Sequence, residues 1–268
     1  MRYLALFACL IWTSSFCFGQ TVTVLNPELK ISRLNDVVWV VTHNFPWESN
    51  SLIVKASDKE VVLIDTPYTN EATEVVLEFI SKEIKPKEIT AILTGFHVDN
   101  LGGTGCLLQH RIPVFGSDRT CKLIDERSAA TQKQLLDWLQ KPEQEKYRKA
   151  YSEMKFTKPD HVFPIEKGFF LKKGKLSFDV YFPGESHSSD NLTVYIKELN
   201  LLFGGCMIKS LESPNLGFTG DANMSEWPVS VKKVQEKYKT AKWVIPHHGN
   251  WGGMDLVQHT VDLFQNQK

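Results

Sequence analysis

The sequence lacks any excess of charge: its 31 lysines and arginines stand against 31 aspartates and glutamates. No overall field draws the chain onto nucleic acid or an anionic membrane, although a local basic pocket is still allowed. Internal repeats and low-complexity linkers are missing too, so nothing marks a domain boundary and one domain is expected. Beyond the first nineteen residues no apolar run approaches the ~20 residues of a membrane-spanning helix. Cysteine is scarce, at 5 of 268 residues. What remains is ordinary: 42% hydrophobic, 23% charged and 11% aromatic residues, enough for a sizeable globular core.

The first nineteen residues differ from the rest. Arg2 gives a basic start, Leu4 to Trp12 an apolar run too short to cross a bilayer, and Ser14 to Gly19 a mostly small, turn-prone stretch. This is the pattern of a secretory signal, expected over residues 1–19 and cut near Gly19-Gln20. The mature domain then spans residues 20–268 and its destination is periplasmic. Cys17 would suit a lipid anchor, but Ser14-Ser15-Phe16 is a poor lead-in to a lipidated cysteine, so no stable membrane association is expected. Removal of Cys9 and Cys17 leaves Cys106, Cys121 and Cys206. An odd number in an oxidising compartment leaves at least one thiol reactive or protected, and a metal is one protection. Whether Cys106 pairs with Cys121 stays open.

Strand-like and helix-like runs alternate along the mature chain. Val37 to Val41, Ser51 to Lys55 and Val61 to Ile64 are β-rich and separated by turn residues, as in a meander. Asn70 to Ile84 carries apolar residues at amphipathic-helix spacing behind a cap at Thr69 or Asn70. Strands are expected at Ile89 to Leu93 and Ile112 to Phe115. A second cycle opens with a polar helical stretch from Ile124 to Met154, interrupted at Pro142. Strands at Leu176 to Phe182, Leu192 to Ile196 and Leu201 to Phe203 follow, then a helix with Trp227, Val231, Val234 and Tyr238 on one stripe. The strand Trp243 to Ile245 and a helix from Met254 to Phe264 close the chain. Two such cycles predict an α/β domain of two sheets packed together with helices outside.

Four of these strand ends carry side chains that ligate metals: Thr94-Gly95-Phe96-His97-Val98-Asp99, Gly184-Glu185-Ser186-His187, Gly204-Gly205-Cys206 and Pro246-His247-His248-Gly249. Taken singly, each residue has a plainer explanation. A loop histidine is usually a surface or capping residue, Cys206 alone is a small buried hydrophobe, and Asp99 could merely cap the next helix. Loops at the ends of adjacent strands can converge on one point, however, and imidazole, thiolate and carboxylate together suit Zn²⁺. Asp99, Cys206 and His248 would supply three ligands and leave a position for water. His97 and His187 would form a second, poorer metal pocket or hydrogen-bond substrate and water.

These segments resemble the class B, zinc-dependent β-lactamases. The resemblance covers most of the mature chain, through Leu63-Ile64-Asp65-Thr66-Pro67, His97-Val98-Asp99-Asn100-Leu101-Gly102-Gly103, His187-Ser188-Ser189-Asp190-Asn191, Gly204-Gly205-Cys206-Met207-Ile208-Lys209-Ser210, Gly220-Asp221-Ala222-Asn223 and Pro246-His247-His248-Gly249. It implies an αββα sandwich of two mixed sheets packed face to face. It places His97 and His187 in a first zinc pocket, and Asp99, Cys206 and His248 in a second. His248 is chosen over His247 because it directly precedes Gly249, leaving His247 to pack or hydrogen-bond nearby. Lys209 would pair with the carboxylate of a β-lactam. The implied protein is a monomer acting on a small-molecule β-lactam, with no nucleic-acid partner.

Two departures narrow the expectation. Gly95 stands where broad-spectrum two-zinc enzymes have histidine and carbapenem-specific one-zinc enzymes have asparagine. The first pocket therefore drops to two histidines, and one zinc is expected to bind tightly with a second only weak. Phe218 falls where many relatives place a substrate-contacting asparagine, a role for which Asn215 is the substitute. The long helix, with Leu135, Trp138 and Leu139 as its apolar face, resembles the active-site cover of the one-zinc subclass, but it also reads as a plain surface helix. The expected reaction is β-lactam hydrolysis favouring carbapenems, with Asp99 and His97 as catalytic residues. Two alternatives stand beside it: a zinc hydrolase of another ester, lactone or amide, and a zinc-holding relative with impaired catalysis.

Overall fold

The computed structural model describes residues 21–265, so the signal expected over 1–19 lies outside the described residues. The chain opens with an antiparallel meander of β1 (Val22–Asn26), β2 (Leu29–Arg33), β3 (Val38–Asn44), β4 (Glu48–Lys55) and β5 (Glu60–Ile64). From β5 onward helices intervene and pairing turns parallel, because a parallel partner needs a crossover that a tight turn cannot supply. The first crossover is α1 (Asn70–Phe79), leading to β6 (Glu88–Ile92). The short α2 (Val98–Leu101) and α3 (Thr104–Gln109) lead to β7 (Val114–Ser117), and α4 (Asp118–Trp138) with α5 (Glu145–Glu153) leads to β8 (His161–Phe163). The second sheet runs antiparallel through β9 (Phe169–Lys173), β10 (Leu176–Tyr181), β11 (Thr193–Ile196) and β12 (Leu201–Gly205). Helix α6 (Trp227–Lys237) then crosses to β13 (Trp243–Pro246), parallel to β12, and α7 (Asp255–Gln265) ends the fold.

Alternation along single strands shows how the layers stack. In β5, Val61 and Leu63 pack with α1 and α3 residues such as Val76 and Leu107. Val62 and Ile64 point the other way, against Phe178, Val194 and Phe203 of the second sheet. A strand covered on both faces must be apolar at every position, and β5 is buried from Val61 to Ile64. On the far side, Trp227, Val231 and Val234 of α6 and Leu256 and Val257 of α7 cover Leu202 and Val244. The result is the expected αββα sandwich, two mixed sheets face to face with helices outside. Among the described residues no helix is long and apolar enough to cross a membrane.

The helical stretch expected from Ile124 starts six residues earlier, at Asp118, because the Ser117 hydroxyl caps it by accepting from Thr120 N at 3.0 Å. It ends at Trp138, and Pro142 opens a separate 3₁₀ turn before α5. Its apolar face does close a cavity. Leu135 and Leu139 are buried with Tyr68, Val98 and Tyr151, while Trp138 meets Trp47 and Phe218 edge-on at 5.9 and 5.3 Å between ring centroids. The elements the sequence did not announce are the exposed edge strand β1 and its partner β2, the short β8, β9, and the two brief helices α2 and α3.

Candidate metal centre

The segments following β6, β10, β12 and β13 converge, and each is held by local chemistry. After β6, Thr94 donates from both N and Oγ1 to the buried Asp65 carboxylate, at 2.7 and 2.5 Å. Asn100 donates to the same carboxylate at 3.2 Å, so the chain turns into α2 with His97 and Asp99 on the inside. After β10, Asn191 Oδ1 accepts from Ser188 N at 2.9 Å and from Ser186 Oγ at 3.2 Å, clasping the loop on either side of His187. After β12, Gly205 takes φ +56°, a left-handed turn open to glycine, and delivers Cys206 inward. After β13, Gly249 at φ +82° lies so close to Ser210 that an added Cβ would sit 2.3 Å from its Oγ.

Two donor groups result. His97, His187 and Cys206 offer ligand atoms within 4.8 Å of one another, and so do Asp99, Cys206, His247 and His248. Cys206 belongs to both. All five residues expected as ligands from the sequence are therefore brought together. Gly95 adds no donor to the first group, and a Cβ there would meet Asn191 Nδ2 at 3.0 Å, so a side chain fits only if Asn191 yields slightly.

The electrostatics suit a cation. Burial and the Asp99 charge work against a Cys206 thiolate, yet His247 and His248 outweigh them and bring its pKa down to about 6. Burial also opposes ionisation of Asp99, but the same two histidines hold its carboxyl well below the usual range. His187 is kept neutral, chiefly by burial, with Lys209 adding to the effect. Burial disfavours charge on His97 and His248 as well. Asp221 nevertheless lifts His97 to about 10, and Asp99 lifts His248 to about 9. His187 Nδ1 is buried without a hydrogen-bond partner, which is costly unless something else occupies it. A thiolate, a carboxylate and imidazoles gathered within 4.8 Å fit a zinc ion.

Several residues of the site have no role in the sequence reading. Asp221 Oδ2 lies 3.0 Å from His97 Nε2, and its other oxygen pairs with Arg127 of α4. This carboxylate–histidine contact fixes the ring as outer partners of metal ligands do. Asp65 does the same for His247, at 2.9 Å from Nε2. A sequence signal existed for Asp65, a carboxylate directly after an apolar strand like the other donors, but Arg127 sits mid-helix and left none.

His97, Asp99, His187 and His248 line a cavity of about 470 Å³ whose other walls include Trp47, Leu135, Trp138 and Phe218. Larger surface hollows of about 700 and 690 Å³ flank α1, but neither is lined by these donors. Lys209 opens onto the donor cavity, buried to 6% exposure with its Nζ 5.3 Å from the Trp227 ring centroid. Asn215 is not brought to the cavity: it is exposed, and its Oδ1 accepts from Gly217 N at 2.8 Å, while Phe218 forms the wall. Cys106 and Cys121 are both free thiols. Burial and Glu74 push Cys106 up to about 12, so it stays protonated against that carboxylate.

The chain is similar to known proteins over most of its length. Residues 44–248 match the family model described as the metallo-beta-lactamase superfamily. The chain is 28% identical over 242 residues to the metallo-beta-lactamases type 2 of Bacillus sp. (strain 170) and of Bacillus cereus, alignments that cover 88% of this chain and 82% and 83% of theirs. The solved metallo-beta-lactamase from Pontibacter korlensis superposes with a TM-score of 0.75 at 32% identity, over 90% of this chain and 100% of that one. A family match over most of the chain, on the same layered frame, shows that the chain belongs to the metallo-beta-lactamase superfamily.

Proposed function

We propose that the protein hydrolyses the amide bond of β-lactams with zinc held by Asp99, Cys206 and His248, and that His97 and His187 form a second, weaker zinc pocket. The observation that carries this is the pair of donor groups sharing Cys206 at the base of one apolar-walled cavity beside a buried lysine. Zinc, when bound, supplies a Lewis acid and brings the pKa of water towards ~7. The residues of the chain do the rest. Burial lowers the pKa of the Lys209 ammonium, but the Cys206 and Asp99 charges favour its protonated form, ready to pair with a substrate carboxylate. Asp221, itself paired with Arg127, holds the His97 ring in place. Cys206, His247 and His248 all contact Oδ2 of Asp99, which leaves Oδ1 to take a proton from attacking water; His97, the other candidate base, must first release its own proton. Trp47, Trp138 and Phe218 exclude bulk water around the apolar part of the substrate.

Two further features support a preference for carbapenems: Gly95 withholds a ligand from the first pocket, and α4 covers the cavity. The test is metal analysis alongside initial rates on imipenem, a penicillin, a lactone and a thioester. Turnover of the β-lactams alone is expected. Lactone or thioester turnover without β-lactam turnover would sink the assignment, and penicillin turned over as fast as imipenem at one zinc equivalent would sink the preference. The site would act in the periplasm after export by the signal at residues 1–19; activity retained in the cytoplasmic fraction would count against that.

A further inference from the structure

The geometry points to His247 as a fourth protein ligand of the cysteine pocket, making it an Asp99–Cys206–His247–His248 site rather than a three-ligand one. This rests on the zinc-hydrolase reading for the identity of the ion, and on the side chains alone for the ligand count.

The first argument is the direction of the ring. His247 is fully buried, and its Nε2 lies 2.9 Å from Asp65 Oδ2. An ionised carboxylate only accepts, so Nε2 carries the proton and donates it to Asp65. The other nitrogen, Nδ1, is turned into the pocket, 3.0 Å from Cys206 Sγ and 3.2 Å from Asp99 Oδ2. Without metal, the Cys206 and Asp99 charges hold His247 well above the usual imidazole range despite its burial, so Nδ1 carries a proton too. Once that proton leaves, a ring with one nitrogen tied to an outer carboxylate and the other among donors is the arrangement of a ligating histidine. His248 is built the same way. Its Nδ1 faces the backbone carbonyl of Glu48 at 2.5 Å, which can only accept, and its Nε2 lies 3.1 Å from Asp99 Oδ2.

The second argument is the spacing. Zinc–sulfur bonds near 2.3 Å and zinc–nitrogen or zinc–oxygen bonds near 2.0–2.2 Å put the donors of a tetrahedral ion roughly 3.3–3.6 Å apart. The separations here are 3.7 Å from Asp99 Oδ2 to Cys206 Sγ, 3.0 Å from Cys206 Sγ to His247 Nδ1, 3.2 Å from His247 Nδ1 to Asp99 Oδ2, and 3.1 Å from Asp99 Oδ2 to His248 Nε2. These are four of the six edges of such a tetrahedron, three of them slightly contracted and one slightly long, and the remaining two are within 4.8 Å. His247 satisfies them as well as His248 does.

The consequence reaches function. Zinc held for structure takes four protein ligands, and zinc that reacts keeps a position open. A fourth donor therefore predicts a tightly held ion with slow turnover at one equivalent, and it places the additional histidine in the pocket next to the one from which Gly95 withholds a ligand.

The test uses the metal-free mature chain loaded with one equivalent of cobalt(II) chloride, read by paramagnetically shifted proton NMR of the exchangeable histidine ring protons. Affinity is read by competition with a chromophoric chelator. Two histidine signals are expected in the native chain. H247A and H248A should each remove one, and H187A should remove none. Cobalt affinity should fall more than about a hundredfold in H247A, and about 10–100-fold in D65N, which keeps the imidazole but loses its outer partner. Melting of metal-free H247A beside the metal-free native chain separates a lost ligand from a lost fold, and the native spectrum needs no variant. A single histidine signal in the native chain overturns the inference, as do two signals that both survive H247A. Both signals without any β-lactam turnover would leave the four-ligand site standing and remove the hydrolase reading; turnover with one signal would do the reverse.

Discussion

The two donor groups share Cys206 yet differ in nearly everything else. The cysteine pocket is rich: a carboxylate, a thiolate and two imidazoles within 4.8 Å, with His247 and His248 each oriented by an outer acceptor. The histidine pocket is poor: two imidazoles, one orphaned nitrogen and a glycine at the third position. Under the proposed zinc reading, the difference teaches that Gly95 is expected to weaken one pocket and spare the other, whose donors are complete without it. Affinity concentrates where donors are many and pre-oriented, because ordering them has already been accomplished by folding.

The sharpest way to break the comparison is to strike the shared residue. C206S should weaken the first metal equivalent by more than about a thousandfold, since loss of a thiolate ligand removes a large part of a binding free energy of order 10 kcal/mol. Chelator competition reads this, together with loss of the metal-dependent rise in melting temperature. The opposite move is to enrich the poor pocket. G95H should strengthen the second equivalent by about a hundredfold and leave the first within about twofold, the added ligand completing a three-histidine set. Equal effects on both equivalents would mean the pockets are not separable.

A smaller and equally selective effect is expected from D221N, which keeps the shape but removes the acceptor for His97. The second equivalent should weaken by about 10–100-fold with the first unchanged. Acidity should then grade both pockets. Without metal, His97 and His248 titrate at about 10 and about 9, so both are protonated at neutral pH and must release protons to ligate. Affinity should rise with pH through that range, the more so because His247, held well above the usual imidazole range by the Cys206 and Asp99 charges, must also lose a proton. Below about 6 the slope should steepen, because the Cys206 thiolate is then protonated too. Calorimetry in buffers of different ionisation enthalpy measures the released protons directly, and no release at neutral pH would contradict the assignment. The mildest change is W138A. Trp138 is 45% exposed and touches only the rim, so KM should rise a fewfold with metal affinity unaltered.

The legible parts of this protein are those where one chemical pattern repeats. Val61 to Ile64 and Trp243 to Ile245 read as strands because apolar β-branched and aromatic runs have few other uses, and His97, Asp99, His187, Cys206 and His248 stood out because each ends such a run. The edge strand β1 was silent because it is exposed or half-buried along its length and carries no core pattern, whereas β2 buries Leu29 and Ile31 in a five-residue stretch too short to stand out beside it. Arg127 was silent because a charged residue on a polar helix has no mark until the helix lies over a cavity. His247 shows the boundary most plainly. Its neighbour's glycine suggested His248 as the ligand, and nothing in the order of residues reveals that Asp65, 182 positions earlier, would fix the His247 ring.

The sequence by itself determined the layered fold and the kinds of donor, since hydrophobic periodicity and side-chain chemistry are properties of neighbouring residues. Only the tertiary structure decided how many donors meet, which nitrogen of each ring faces inward and which carboxylate holds it there. Those depend on contacts between β5, β6, β12 and β13 whose residues are distant in the chain and come within hydrogen-bond reach only when the two sheets pack.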